Sequence, residues 1–376
     1  MTAKRARLMI PGPVDVEDEV LEALARPAPP HYGVDWLEVY DEVIDKLKQV
    51  FSTRNDLFLM AGAGTTGLDA AVGSLMRTGD EVLVGVNGFF GGRLATVAEC
   101  YGLHVHTMEA PPGQPLDPQA FDRLLSKEPD IQAVVMVHLE TSTGVLNPLQ
   151  EIAAISDRHG VPIIVDAVSS MGGIPVNVDE WGIDICVTVT NKCLGCPPGV
   201  APISVSAKAW EQMDRKGQRA HGWYQNLNIW REYADNWAAW HPYPTSLPTN
   251  NIIALRTSLR RILAGGLEAF YEHHVQAANT VRAGLHRLGF ALFTPEECTS
   301  PLISTVRRPR WMDIADYRRF LLEQKGIMIA GGLGALSDEI FRLGHIGRAA
   351  SQEYSQSFLS GTEEYLRLKG RPVPEG

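Results

Sequence analysis

The sequence predicts an α/β protein: a mostly parallel central sheet with helices on both faces, followed by a smaller C-terminal α+β domain. Three observations carry that expectation. From Asp56 to Val205, short apolar runs of strand length alternate with segments of helical periodicity, as in a sheet covered on both faces. Two of those runs end in a charge, Asp166 after Val161–Val165 and Lys192 after the β-branched stretch Val187–Thr190. After Lys208 the alternation stops, and residues 217–250 are rich in Trp, Tyr, Asn and Pro with weak periodicity.

Taken in order, Val16–Ala25 reads as a first helix. Val34–Phe51 reads as a second, with Trp36, Leu37, Tyr40, Val43, Ile44, Leu47 and Val50 at helical spacing. The strands Asp56–Met60, Glu81–Val86, Leu103–Met108 and Ala133–Leu139 follow. Helices ending near Met76 and Tyr101, then Pro118–Ser126 and Leu149–His159, separate them from one another and from the next strand. Ile163–Val165, Ile185–Val189 and Ala201–Val205 complete the sheet signals. Two long helices are expected at about Asn250–Ala264 and Leu267–Leu288, and a last one near Ser351–Lys369. No internal repeat or low-complexity tract interrupts this order.

At 376 residues the chain has room for two or three domains, at roughly 100–200 residues per domain. Hydrophobic residues at 45% and charged residues at 21% are the balance of a soluble globular protein. A net charge of −10 argues against nucleic acid or anionic membrane as a partner, since both select a basic face. The run Arg307–Arg308–Pro309–Arg310 is short enough to be a solvated loop. The basic start Met1–Arg7 lacks the apolar core of a signal peptide, and no stretch reaches the roughly 18 apolar residues of a membrane span. Five cysteines without a disulfide-framework spacing fit a reducing, cytoplasmic setting. Cys193 and Cys196 form a C-x-x-C with no second Cys/His pair at metal spacing, so they are expected as packed thiols, with no metal.

The chemistry sits where strands end. Lys and Asp are seldom buried unless paired, and open α/β sheets bind ligands beyond the carboxyl ends of their strands. A lysine nucleophile with an acid that partners a pyridinium nitrogen is the pair that pyridoxal 5'-phosphate (PLP) requires. Gly62-x-Gly64–Thr65–Thr66–Gly67, between a strand and a helix, fits a phosphate cradle at a helix N-terminus or simply a tight turn. It lacks the Lys-Ser/Thr of a P-loop and the spacing of a dinucleotide fingerprint. Asn87–Gly88–Phe89–Phe90–Gly91 offers an aromatic for a flat ring, or a core Phe at a helix start. Glu140–Thr141–Ser142–Thr143–Gly144 offers three hydroxyls, or a cap. Five such features on one sheet edge point together to a phosphorylated ring cofactor.

These motifs, with Asp166–Ala167–Val168–Ser169–Ser170, Asn191–Lys192, Pro197–Pro198–Gly199 and Arg342–Leu343–Gly344–His345, resemble the class V PLP-dependent aminotransferases, most of all the alanine–glyoxylate / serine–pyruvate group. The likeness runs in order over nearly the whole chain. It implies PLP-dependent transferase fold type I. An N-terminal arm would span 1–15, a large PLP-binding domain 16–255 and a small domain 256–376. By the same resemblance Lys192 would form the Schiff base and Asp166 would hold the pyridine nitrogen. Phe90 would stack on one ring face, Val168 would pack on the other, and Thr141 would contact the ring oxygen. Ala63, Gly64 and Thr65 would bind the phosphate, with Asn191 beside the lysine. Tyr243 and Thr245 would reach the phosphate of a partner subunit in a homodimer with composite sites, and Arg342 would grip the substrate carboxylate. In one chain that Pro-rich aromatic loop has no evident burial partner.

The implied reaction is transamination between a small amino acid, alanine or serine, and a small 2-oxo acid, glyoxylate or pyruvate. Phe90 stands where many relatives have Trp, and Asn191 where many have Gln. The Asn–Lys–Cys–Leu–Gly form also resembles pyridoxamine–pyruvate aminotransferase. A cysteine desulfurase-type lyase would need a mobile catalytic Cys, for which Cys298 is the candidate. A non-catalytic scaffold on this fold is disfavoured by the presence of both Asp166 and Lys192.

Overall fold

The computed structural model describes residues 6–217 and 221–374. Seven strands form its central sheet: β1 Asp56–Gly62, β2 Glu81–Val86, β3 His104–Glu109, β4 Ile131–Val137, β5 Ile163–Asp166, β6 Ile185–Val187 and β7 Gly199–Val205. Their spatial order is β1-β7-β6-β5-β4-β2-β3. Only β7 runs against its neighbours, so the other six strands deliver their carboxyl ends to one edge. Val, Ile, Leu and Met fill the inner strands, and Val82–Val84 and Ile163–Val165 have no exposed surface. Near-continuous apolar runs of this kind are what a sheet buried on both faces requires.

Helices enter from the sheet with recognisable starts. Asp117 caps Pro118–Lys127 by accepting from Gln119 N–H at 3.0 Å, with Pro118 at the first helical position. Two helices lie where the sequence reading found none. Ala207–Arg215 is capped by Ser206, and Leu227–Asn236 by Asn226. The second turns its aromatic residues to account: Trp230 is fully buried and its indole N–H donates to the Tyr224 carbonyl at 2.8 Å. Its short polar face hides the apolar period.

Beyond the long helices Thr249–Ala264 and Leu267–Arg287, a smaller antiparallel sheet forms from β8 Ile303–Arg307, β9 Ala330–Gly331 and β10 Ile340–Gly344, in the order β8-β10-β9. Helices Ile314–Lys325 and Gln352–Leu368 pack near it. Its core includes Val281, Tyr317, Phe341 and Phe358, and also Met9 from the N-terminal arm, whose Arg7–Leu8 pairs with Ile327–Met328. A third apolar cluster joins Val14 and Cys193 to Leu302, Ile303 and Ile346. That seam presses the second sheet and the arm against the carboxyl edge of the first. Among the described residues no helix is long and apolar enough to cross a membrane.

Candidate active site

The carboxyl edge of the large sheet faces β9, β10 and the arm across a cavity of about 810 Å³. Its walls include Pro11 and Gly12 from the arm, Phe90 and Arg93 after β2, Thr141 after β4, Lys192 after β6, and Arg318, Gly331 and Arg342 from the C-terminal part. Asp166 ends β5, between Val137 of β4 and Val187 of β6, and is 7% exposed. Val168 N–H donates to its Oδ1 at 2.9 Å. Burial pushes the Asp166 carboxyl up to about 6, and the nearby Glu140 charge adds to the rise while Lys192 opposes it.

Lys192 lies in the turn that follows β6. Thr190 N–H still bonds the Val200 carbonyl at 3.1 Å, and Gly195 N–H closes the turn onto the Lys192 carbonyl at 2.9 Å. The amine itself donates to the Pro11 carbonyl at 2.7 Å. Burial draws its pKa down to about 8, and the Arg342 charge acts in the same direction. An amine of that basicity carries an appreciable neutral fraction near neutral pH, which is the nucleophilic form.

Gly12 matters to this arrangement. Its φ is +142°, and a Cβ placed there would meet Lys192 Cδ and Cε at 2.5 Å. The positive φ favours glycine at this position, and a side chain here would push the end of Lys192 aside. Nothing in the sequence pattern singles out Gly12.

Gly64 begins the helix Gly64–Leu75, whose N-terminus has no side-chain cap. A Cβ on Gly64 would meet Val168 Cγ2 at 2.7 Å, so the helix start and the residue after Asp166 touch closely. Ala63 and Thr65 are exposed beside that free helix end, whose N–H groups and dipole favour an anion. Glu140, another residue whose role the sequence reading left unassigned, is fully buried. It accepts from Phe90 and Gly91 N–H at 3.0 Å each and from Ser142 N–H at 3.0 Å. It thereby anchors the start of the helix Phe89–Cys100 and holds Phe90 at the cavity wall.

Arg342 on β10 is 7% exposed. Its Nε donates to the Gly331 carbonyl and its Nη1 to the Thr141 carbonyl, both at 2.8 Å. These bonds fix the guanidinium plane across the cavity from the sheet edge, and burial lowers its pKa to about 10. Among the described residues no carboxylate lies within ion-pairing distance of it. Asn191 uses its carbonyl to accept from Val14 N–H at 3.1 Å.

Phe90, Thr141, Lys192 and Arg342 thus meet in one cavity, with Asp166 coupled to Lys192 and the Ala63–Thr65 helix start packed on Val168. Tyr243 and Thr245 do not join them. The expectation that their loop lacks a burial partner in one chain is corrected for Tyr243, which has no exposed surface. Its hydroxyl accepts from the Trp36 indole N–H at 2.6 Å and donates to the His31 carbonyl, and its ring lies 5.1 Å from that of Tyr40. Thr245 is half-buried, while Trp237 and Trp240 are 45% and 55% exposed. Cys193 and Cys196 are packed thiols with pKa values pushed up to about 12 by burial, and Cys193 Sγ–H points to the Ser169 carbonyl at 3.4 Å.

A half-buried amine of reduced basicity, coupled by charge to a buried carboxylate and facing a guanidinium that forms no ion pair among the described residues, defines an enzyme that handles the amino or carbonyl group of a small anionic substrate. The chain belongs to the class V aminotransferases, whose family model matches residues 21–350. It is 38% identical to an uncharacterised aminotransferase of Methanocaldococcus jannaschii over 99% of this chain and 96% of that one. Among solved structures, alanine–glyoxylate aminotransferase from Nostoc sp. superposes with a TM-score of 0.93 at 30% identity, covering 98% of this chain and 97% of the other. Pyridoxamine–pyruvate aminotransferase from Mesorhizobium loti does so with a TM-score of 0.92 at 30% identity, covering 99% and 94%. The protein is an aminotransferase acting between an amino acid and an oxo acid.

Proposed function

We propose that this chain uses PLP to transfer an amino group from alanine or serine to glyoxylate or pyruvate. The observation that carries the reading is the Lys192 amine, half-buried in the cavity wall and weakened in basicity, coupled to Asp166 and faced by Arg342. The residues fit the cofactor on three counts: an uncapped helix start closely packed at Gly64, a buried acid at a strand end, and a lysine with a clear path past Gly12. Ala63, Gly64 and Thr65 would hold the phosphate, Phe90 and Val168 the ring faces, Thr141 the ring oxygen, Asp166 the ring nitrogen and Lys192 the aldehyde carbon. When bound, PLP supplies an electron sink for the bond broken at the substrate's Cα.

The chain's own groups do the rest. Arg342 fixes the substrate carboxylate, and with it the direction in which the Cα–H bond points. Lys192 Nζ, once free, would take and hold the proton from the substrate's Cα. Asp166 keeps a proton on the ring nitrogen, which a neutral side chain could not do. Phe90 and the apolar wall at Met328 and Ile329 limit water around the reacting atoms.

A donor-by-acceptor panel on the purified holoenzyme tests the reading, and turnover with alanine or serine paired with glyoxylate or pyruvate is the expected result. Arg342→Lys should lower kcat/KM by roughly 10- to 100-fold in both half-reactions, because a point charge on a flexible stem cannot replace a planar two-donor fork. Unchanged kinetics in either half-reaction would remove Arg342 from the carboxylate site. The helix start at Gly64–Thr65 supports a retained, phosphorylated cofactor over pyridoxamine as a substrate. A desulfurase role is poorly supported: Cys298 is 8% exposed, its thiol points to the Pro295 carbonyl, and it does not line the cavity. The five cysteines are unpaired, which supports a reducing, cytoplasmic setting.

We also take the working unit to be a homodimer in which Thr245 reaches the neighbouring site, and 16–255 and 256–376 to be the large and small domains. Exposed Tyr32, Trp237 and Trp240 supply an aromatic face of the kind interfaces favour. Mixing inactive Lys192→Ala with Thr245→Glu under subunit exchange should restore about half of wild-type activity per heterodimer, since one of its sites is wholly wild type. No recovery despite proven exchange would mean that each site comes from one chain.

A further inference from the structure

Four basic side chains line the cavity, Arg93, Lys192, Arg318 and Arg342, against one acidic one, Asp338. In a chain with a net charge of −10 this is a local reversal of sign, and a concave site of one sign concentrates counter-charged ligands. A substrate with a single carboxylate employs Arg342, which leaves Arg318 with no role in the transamination reading.

Arg318 comes from the helix Ile314–Lys325 and is held in place. Its Nε donates to the Ile329 carbonyl at 3.1 Å, which anchors one edge of the guanidinium. Its Nη1 lies 3.3 Å from the position a Cβ on Gly331 would take, while the Gly331 carbonyl accepts from Arg342. Two guanidinium groups therefore flank one residue, one along the strand plane and one over its face. They are close enough that the Arg318 charge is felt at Arg342. Among the described residues neither forms an ion pair with a carboxylate. The two differ in depth: Arg342 is nearly buried, whereas Arg318 is exposed at the cavity mouth.

We infer that the enzyme also accepts amino and oxo acids whose side chain ends in a second carboxylate, and that Arg318 is the residue that reads it. The inference rests on the transamination reading above. With its α-carboxylate on Arg342 and its reacting carbon toward Lys192, a substrate has its side chain left to run toward the mouth. There the free edge of Arg318 offers two donors to a second carboxylate. A short side chain would leave that edge in water at little cost, so alanine and pyruvate remain substrates. Asp338, on the same wall, works against the second anion and makes Arg318 the side chain that decides.

The test compares wild type with Arg318→Gln, as holoenzymes, in two measurements. The first is the ratio of kcat/KM for oxaloacetate or 2-oxoglutarate to that for pyruvate, with alanine as common donor. That ratio should fall by about 10- to 100-fold in the variant, the usual effect of removing a charge-assisted hydrogen bond. The second is equilibrium binding of unreactive glutarate against butyrate, which does not depend on turnover. Glutarate should bind wild type more tightly than butyrate, and Arg318→Gln should erase the difference. An unchanged kinetic ratio, equal loss for both substrate classes, or no preference for glutarate in wild type would each overturn the assignment. Absence of all transamination with the glutarate preference intact would instead overturn the activity and leave the anion site standing.

Discussion

Lys192→Ala should lose transamination by at least about four orders of magnitude, because the change removes both the nucleophile and the group that moves the Cα proton. The protein should still bind PLP through Asp166 and the helix start at Gly64. Borohydride should fix PLP to the Lys192 peptide in wild type and to no peptide in the variant. The competing lysines are poorly placed for that chemistry. Lys46, Lys127, Lys208, Lys216, Lys325 and Lys369 each pair with a carboxylate, and among the described lysines only Lys192 lines the cavity. The fold should survive, since among the described residues the side chain's one hydrogen bond goes to the Pro11 carbonyl, and an unpaired carbonyl there costs about 1–3 kcal/mol. Circular dichroism and denaturant unfolding separate that modest loss from the catalytic one. A borohydride adduct on any other lysine would sink the assignment.

The sheet was legible because its inner strands are buried on both faces, which forces runs such as Val82–Val84 and Ile163–Val165 that periodicity alone can find. Asp166 and Lys192 stood out for the complementary reason, since a charge directly after such a run has no structural excuse. What escaped were residues whose importance is set by distant partners. Gly12 matters only because the arm crosses the sheet edge and meets Lys192. Arg318 sits on a helix among charged residues, where it looks like solvent-facing polarity until the cavity appears beside it. Tyr243 lies in a Pro-rich stretch with no period, yet Trp36, 207 residues earlier, and Tyr40 enclose it. Local pattern reports the face of an element, not which far segment will cover it.

Asp166→Asn should be slow and, without cofactor, more stable than wild type. An amide cannot keep the ring nitrogen protonated, and breaking a buried charge pair of this kind costs about 3–5 kcal/mol, or roughly 10²- to 10³-fold and more in rate. The fold has no such need of the charge. An Asn oxygen can still accept from Val168 N–H, the bond that Asp166 makes at 2.9 Å. Burial pushes the Asp166 carboxyl from 3.8 up to about 6 despite the opposing Lys192 charge, so without the cofactor the folded state binds its proton more tightly than the unfolded chain does. The sign follows. Below about pH 4 the carboxyl is protonated in both states and the charge costs nothing. As pH rises from about 4 to 6 the folded apoprotein loses stability relative to an uncharged isostere, by about 1.4 kcal/mol for each pH unit crossed, a total of the order of 2–3 kcal/mol. Denaturant unfolding of the two apoproteins should therefore coincide near pH 4 and diverge in favour of Asn by about pH 7. Saturating PLP should stabilise wild type more than the variant, because the pyridinium returns a partner to the buried carboxylate. Near-normal turnover in Asp166→Asn, or apoprotein stabilities that stay parallel across that pH range, would show that Asp166 is neither the ring partner nor a strained charge. The expected divergence would show that this strand end keeps a charge the fold alone does not favour, retained for the chemistry at Lys192.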